Sequence, residues 1–149
     1  TNELVDGGAD LAEFSTILLR IQHELFNLGS LLATDTDAVG ERQPRVTSLD
    51  VEQLEREIDR MNAELPKLNS FTLPGGCRLE AELQLCRTAC RAAERRVVAL
   101  QSVESVDPSA VAYLNRLSDA LFVWGRWVCC QLNATETLWQ PSAASSAQA

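Results

Sequence analysis

Apolar residues recur along this chain at alternating spacings of four and three, which is the pattern of amphipathic helices. The segment Arg78 to Leu100 carries a clear stripe of this kind and predicts the helix around which the rest of the chain is organised. Its apolar positions are Leu79, Leu83, Cys86, Cys90, Ala93, Val97 and Leu100. We expect these side chains to face a hydrophobic core.

Three further segments show the same periodicity. One helix is expected from about Leu11 to about Ala33, one from a cap at Thr47 to about Leu65, and one after Asp107. Their stripes are Phe14, Leu18, Ile21, Leu25, Leu28 and Leu32; Val51, Leu54, Ile58, Met61 and Leu65; and Ala110, Leu114, Leu117, Leu121, Trp124 and Val128. Helices with near-heptad stripes and modest loops predict an all-α, antiparallel bundle.

Capping and breaking residues predict where these helices begin and end. Thr47 and Asp50 have the spacing of a capping box, and Asp107-Pro108 is typical of a cap followed by a first turn. The polar segment Thr34 to Arg45 contains glycine and proline and is interpreted as a loop. Leu138 to Ala149 is interpreted as a frayed tail.

Composition and charge narrow the class of protein. The chain has 149 residues, of which 46% are apolar and 23% are charged, as expected for a single soluble domain over residues 1–149. Its net charge of −8 argues against a general nucleic-acid binder but leaves room for a local basic site for a phosphorylated ligand. No apolar run approaches the roughly 18 residues that a spanning helix needs, and no signal peptide is visible. We expect a cytoplasmic protein with no nucleic-acid or membrane partner.

Cysteine and histidine positions give little support for a metal site. The chain has five cysteines, an odd number, and Cys86 and Cys90 lie in an apolar stripe, which favours reduced core thiols over disulfides. These two thiols lack an obvious second pair of ligands, so we expect no protein-bound metal. The single histidine, His23, is interpreted as a surface or rim residue, with a general base as the alternative.

Polar residues beside the predicted core are the candidates for chemistry. Arg87, Arg91 and Glu94 share one face of a helix, because they lie at i, i+4 and i+7. They indicate a solvated face or ion-pair network at a subunit contact, or an anion site. Asn115 is followed four residues later by an aspartate on the last helix. Phe71, in a loop that ends in Pro-Gly-Gly, either plugs the bundle end or is presented to a ligand.

Several longer motifs resemble one enzyme family, the PduO-type ATP:cob(I)alamin (corrinoid) adenosyltransferases. The resemblance is carried by the segments FTLPGG, RTACRAAERRVVAL and YLNRLSDALFVWGR, and further by IQHELFNLGSLLAT and LEREIDRMNAELPKLNSF. It covers roughly Ile21 to Trp127, which is most of the chain. The combination of R-x-x-x-R-x-x-E-R-R with N-R-L-S-D is specific.

The resemblance implies an architecture and an activity. Members of the family are homotrimers of helical bundles, usually described as five-helix, with active sites between subunits. They transfer the 5′-deoxyadenosyl group of ATP to the cobalt of cob(I)alamin, giving adenosylcobalamin and triphosphate. The implied ligands are ATP, Mg²⁺ and cobalamin, the last as a substrate. The implied compartment is the cytoplasm, or the mitochondrial matrix in a eukaryote.

The resemblance also implies roles for individual residues. The family's interface and ATP-site positions fall on Arg87, Arg91 and Glu94, which we expect to be the catalytic residues, and Asn115 falls near the nucleotide. Phe71 falls on the aromatic residue that closes the lower face of the corrin. Asp119 belongs to the same motif as Asn115 and is expected on the cobalamin side.

Two departures from the family pattern lie at the start of the chain. The glycine-rich segment T-x-x-G-D-x-G-x-T is absent, so we expect the family's phosphate loop to lie outside these 149 residues. Asn2 stands where an aspartate is typical, and an amide pairs more weakly with the arginine at Arg87. These departures leave the alternative of a corrinoid carrier or sensor that lost transfer activity. A further alternative is a purely structural bundle that uses Arg87, Arg91 and Glu94 for assembly.

Overall fold

The computed structural model describes residues 9–34, 40 and 42–141. Its elements in chain order are α1 (Ala9–Leu32), α2 (Ser48–Ala63), β1 (Thr72–Leu73), α3 (Arg78–Leu100), α4 (Pro108–Gln131) and β2 (Thr137–Leu138). The prediction for Asn2, half of the loop prediction for 34–45 and the tail from residue 142 lie outside the described residues. Within them, no helix has the length and hydropathy needed to span a bilayer.

Ion pairs fix the relative direction of the first two helices. Arg20 of α1 pairs with Glu57 of α2 at 2.6 Å, and Glu13 pairs with Arg60 at 2.7 Å. Because the earlier residue of α1 meets the later residue of α2, the two helices are antiparallel.

Contacts between α3 and α4 show the same arrangement. The thiol of Cys90 donates to the carbonyl oxygen of Leu114 at 3.2 Å, and Gly125 lies against Glu80 near the other end. The chain therefore runs up, down, up and down through its four described helices. This confirms the all-α antiparallel bundle.

Helix α4 occupies the centre of the bundle. It packs against both α2 and α3, and its residues from Ala120 to Cys129 are buried except for one half-buried position. Phe14 of α1 places its ring 5.6 Å from the rings of both Trp124 and Trp127. Because the second half of α4 is buried on all sides, α4 and not α3 organises the core.

Two predicted core residues are in fact exposed. Cys86 of α3 faces solvent, and Leu25 of α1 is 39% exposed. Drift of the stripe around the helix does not explain these positions, because each lies between buried members of its stripe; which positions meet the core depends on how the helix packs against its neighbours. On α3 the buried line is Leu83, Cys90 and Val97.

The predicted helix caps are present. A carboxylate oxygen of Asp50 accepts a hydrogen bond from the backbone N–H of Thr47 at 2.7 Å. The Asp107 side chain accepts from the N–H of Ser109 at 2.9 Å, and Pro108 opens α4. These bonds satisfy donors that a helix start leaves unpaired.

A short antiparallel ribbon joins the loop before α3 to the segment after α4. Its register pairs Thr72 with Leu138 and Leu73 with Thr137. The interpretation of Leu138 as the start of a frayed tail was therefore wrong. The backbone N–H of Trp139 extends the ribbon by donating to the carbonyl oxygen of Phe71 at 2.7 Å.

Candidate functional site

A carboxylate on α3 joins two polar side chains from different helices. Glu94 accepts from Nη1 of Arg91 at 2.7 Å through one oxygen, and from Nδ2 of Asn115 at 2.9 Å through the other. The Glu94 side chain is only 13% exposed. Because both oxygens are engaged, Glu94 fixes where the guanidinium and the amide stand.

A surface cavity of about 490 Å³ lies beside this cluster, and we call it the carboxylate cavity. Its lining residues are Val51, Glu55, Glu94, Gln101, Pro108, Val111, Ala112, Asn115 and Arg116. Arg116 pairs with Glu55 at 3.2 Å and with Asp119 at 3.1 Å. The cavity therefore combines an amide with charges of both signs.

Arg87 lies one turn before Arg91 and belongs to a different cavity. Its guanidinium carbon is 5.2 Å from the centre of the Phe122 ring, which is a cation–π geometry. This cavity of about 580 Å³, which we call the aromatic cavity, is lined by Leu68, Asn69, Ser70, Phe71, Thr72, Gln84, Arg87 and Phe122. It places a cation and two aromatic rings around one space.

Phe71 is presented to solvent at the rim of the aromatic cavity. Its side chain is 77% exposed, and its ring meets the ring of Trp139 edge-on at a centroid distance of 6.2 Å. A residue that plugs the bundle end would be buried in the core. The exposure of Phe71 therefore contradicts the plugging alternative, and presentation to a ligand stays a prediction.

The structure thus divides the residues singled out in the sequence into two groups. Arg91, Glu94 and Asn115 are joined by hydrogen bonds, whereas Arg87 and Phe71 line the second cavity. Asp119 lies outside both linings, paired with an arginine and half-exposed. The two groups adjoin because Arg87 and Arg91 are successive turns of one helix face.

Sequence reasoning missed residues that shape the aromatic cavity. Phe122 and Trp139 were not singled out, because their partners are distant in sequence. Glu80 is buried and accepts from the N–H groups of Gly75 at 2.7 Å and Gly76 at 3.3 Å. Its place three residues after the cap of α3 was a usable signal, because side chains there often bond back to the preceding backbone.

The thiols and the histidine take no part in these cavities. Burial, together with the negative charge of Glu94, raises the pKa of Cys90 to about 11, so it stays a neutral thiol. His23 is exposed, as expected for a surface residue. Among the described residues, no three histidine, cysteine, aspartate or glutamate side chains are grouped to hold a metal ion.

The fold and the site define a helical-bundle protein in which a guanidinium, carboxylate and amide cluster adjoins a cavity with an exposed aromatic ring. A family model described as cobalamin adenosyltransferase matches residues 3–128. The chain belongs to the cobalamin adenosyltransferase family.

Named relatives agree with this assignment. The chain is 42% identical over 126 residues to the cobalamin adenosyltransferase of Cupriavidus metallidurans, covering 83% of this chain and 64% of the relative. It is 41% identical over 124 residues to the corrinoid adenosyltransferase of Bacillus subtilis, covering 83% of this chain and 63% of the relative. The chain thus spans just under two thirds of the length of these two proteins.

Solved structures resemble this bundle closely. One is a variant of the PduO-type ATP:corrinoid adenosyltransferase from Lactobacillus reuteri, complexed with cobalamin and ATP. It matches with a TM-score of 0.82 and 28% identity, covering 92% of this chain and 76% of that one.

Proposed function

We propose that this protein transfers the 5′-deoxyadenosyl group of ATP to the cobalt of cob(I)alamin, giving adenosylcobalamin and triphosphate. The observation that carries the proposal is the position of the Arg91–Glu94–Asn115 cluster, one helical turn from the cavity that Arg87 and Phe71 line. The reaction needs two such sites side by side, one for a polyanion and one for a broad apolar ring. The named relatives and the ligands of the solved neighbours support the same activity.

The polar half of the site is assigned to ATP. Arg87 and Arg91 would bind the triphosphate oxygens, because guanidinium groups stay charged and pair bidentately with phosphate. Glu94 would hold Arg91 in place, and its second oxygen would orient Asn115 toward the nucleotide. Preformed hydrogen bonds of this kind reduce the cost of ordering side chains when a ligand binds.

The aromatic half of the site is assigned to the corrin. Phe71 would cover the lower face of the ring, exclude the axial base and leave cobalt four-coordinate, which makes it easier to reduce. Asp119 is paired with Arg116, so its expected contribution on the cobalamin side would act through that arginine or require their ion pair to open.

The transfer step needs no protein nucleophile. Cobalt(I) donates an electron pair to the ribose 5′ carbon, the cobalt–carbon bond forms, and the carbon–oxygen bond breaks with its electron pair leaving on triphosphate. The protein aligns cobalt with the carbon, neutralises the leaving group and excludes water. The corrinoid supplies the demanding chemistry.

Mg²⁺ would arrive bound to the triphosphate. The described residues contain no group of three suitable ligands, so phosphate oxygens and water would complete its coordination, as Mg²⁺ commonly prefers.

We further propose that the protein is a homotrimer with its sites between subunits. Arg87 and Arg91 lie on an exposed face of α3, and α1 exposes Leu19 and Phe26, so surfaces for a second copy are available. The proposed compartment is the cytoplasm, or the mitochondrial matrix in a eukaryote.

The test is the visible spectrum of cobalamin held as cobalt(I) after the complete protein and Mg·ATP are added. The adenosylcobalamin spectrum is the expected result. Arg91→Glu should lower turnover about 100-fold or more, because a charge that stabilises the leaving group is reversed. The matched control is Arg56→Glu on the exposed face of α2, which should keep its activity, and circular dichroism should show equal helicity in both variants.

Other outcomes support the alternatives. Corrinoid binding that needs no ATP and leads to no transfer indicates a carrier or sensor. A purely structural bundle predicts no stabilisation by either ligand, whereas a ligand at 100 times its dissociation constant stabilises its target by about 2.7 kcal/mol. Full activity in Arg91→Glu would remove Arg91 from the site.

A further inference from the structure

A buried arginine on α4 binds two segments that are far apart in sequence. Arg126 is 5% exposed. Its Nε and Nη2 reach the two carboxylate oxygens of Glu136 at 2.8 and 3.3 Å, and Nη2 also donates to the carbonyl oxygen of Pro66 at 2.9 Å. Removing a charge from water is costly unless its partners are well placed, so this geometry is tightly specified.

Both partners of Arg126 lead directly to Phe71. Pro66 lies near the start of the connection from α2 to β1 that carries Phe71, and Glu136 immediately precedes β2. Beyond β2, Trp139 bonds to this connection twice: its N–H donates to the carbonyl oxygen of Phe71 at 2.7 Å, and its carbonyl oxygen accepts from Oγ of Ser70 at 2.8 Å. Through Pro66, Arg126 therefore anchors the start of this connection. Through Glu136, it anchors β2, the strand that pairs with β1 within the connection.

Side-chain packing does little to hold the ring of Phe71 in place. It is 77% exposed, and it meets the ring of Trp139 edge-on, which is itself half-exposed. Core packing therefore does not set its position. The backbone of the ribbon sets the position of Phe71, and the ion pair between Arg126 and Glu136 holds the ribbon in place.

We propose that Arg126 and Glu136 are positioning residues that fix the place of Phe71 at the aromatic cavity. The catalytic consequence rests on the proposed function, whereas the anchoring of Phe71 does not. The charge pair lines neither the carboxylate cavity nor the aromatic cavity, and it acts through the ribbon.

The anchoring is tested by hydrogen exchange at the backbone amide of Trp139, which bonds to Phe71. Glu136→Gln keeps the size of the side chain but removes its charge, and Arg126→Lys keeps the charge but loses the planar fork. Each should speed exchange at this amide about tenfold, because hydrogen bonds to charged groups are stronger than those between neutral groups. Amides in α1 should be unchanged.

The matched control is Glu13→Gln, which removes the charge from an exposed ion pair with Arg60 on the α1–α2 face. It should leave exchange at Trp139 unchanged. If Glu136→Gln and Arg126→Lys leave it unchanged as well, the proposal is overturned.

The catalytic consequence is tested by kinetics and spectroscopy on the complete protein. Glu136→Gln should lower kcat for adenosyl transfer about tenfold, since a small misplacement of an aligning group is costly. KM for ATP should stay within about twofold, because the cluster around Glu94 is untouched. The yield of four-coordinate cobalt(II) cobalamin should fall in parallel, and Glu136→Asp, which keeps the charge, should recover part of both.

The outcomes separate this inference from the proposed function. Faster exchange with normal kcat and a normal cobalt(II) spectrum would overturn the positioning role. A wild-type protein that forms no adenosylcobalamin would overturn the proposed function, and the exchange measurement would still decide whether the pair anchors Phe71.

Discussion

Individual side chains inside this bundle carry charge that the core must neutralise. Arg20 bridges two buried carboxylates, with 2.6 Å contacts to both Glu24 and Glu57. The hydroxyl of Tyr113 donates to Glu24 at 2.6 Å, and burial together with this carboxylate raises the pKa of the tyrosine. The network ties α1 to α2 and α4 in one register, because each charge has its partner only there.

Removing the arginine from this network should destabilise the bundle. Arg20→Met removes the cation from two carboxylates that are largely shielded from water. The free energy of unfolding should therefore fall by about 2–3 kcal/mol, a value that is discounted for the partial exposure of Arg20. Urea unfolding followed by circular dichroism at one fixed protein concentration measures this loss.

The control for this prediction is Arg56→Met, which removes an exposed cation 3.9 Å from Glu52. It should cost no more than about 0.5 kcal/mol. Equal losses in the two variants would show that burial of the carboxylates is not the cause.

Residue contacts within one helix could be predicted from the sequence, and contacts between helices could not. Arg91 and Glu94 are three residues apart, so their pairing follows from helical geometry alone. The bond from Asn115 to Glu94 depends on how α4 is rotated against α3, which side-chain packing decides. The ion pair between Arg116 of α4 and Glu55 of α2 shows the same limit, whereas the pair of Arg116 with Asp119 lies within one helix.

At the scale of elements, the turn before α3 is fitted closely to the segment after α4. A methyl group added at Gly76 would lie 2.8 Å from Sγ of Cys129 and 3.2 Å from the backbone carbonyl oxygen of Thr135. The adjoining Gly75 has a φ of 120°, which residues that carry a side chain rarely adopt. The Pro-Gly-Gly sequence therefore does more than end a loop, since it lets two chain segments approach.

Gly76→Ala should destabilise the protein by about 1–3 kcal/mol, because the backbone at Thr135 and the buried thiol must both move. Thermal unfolding measures the change. Gly29→Ala in α1 is the control, because nothing lies within 4 Å of its added methyl group and alanine favours a helix by about 0.5–1 kcal/mol. A Gly76→Ala protein as stable as wild type would refute the close fit.

Helices were predictable here and the ribbon was not. A stripe repeated over five to seven positions outweighs errors at single residues, so all four described helices were found with ends displaced by a few residues. Each strand of the ribbon has two residues, and its pairing joins Thr72 to Leu138. No local pattern marks such a pairing, and for this reason the tail was predicted from composition alone.

At the scale of the whole molecule, the described surface retains large apolar side chains. Phe26 of α1 is 79% exposed and Leu19 is 55% exposed, and these residues are separated by two helical turns on one face. Exposed patches of this kind often mark protein contacts. They are consistent with the proposed trimer.

Phe26→Glu should weaken assembly, because burying a charge in an apolar contact is costly. Sedimentation equilibrium should give three times the chain mass for wild type and a lower mass for the variant at the same concentration. Leu49→Glu, also at an exposed position, is the control and should leave the mass unchanged. A wild-type protein that sediments as a monomer would contradict the trimer.

The ribbon also has a consequence for the order in which the molecule folds. Pairing Thr72 with Leu138 closes a long chain loop that spans α3 and α4, and the entropy of closing such a loop is recovered only after both helices have packed. The rim that presents Phe71 is therefore expected to form last and to open first in native-state fluctuations. A large, flat ligand could enter through this local opening while the helical core stays intact.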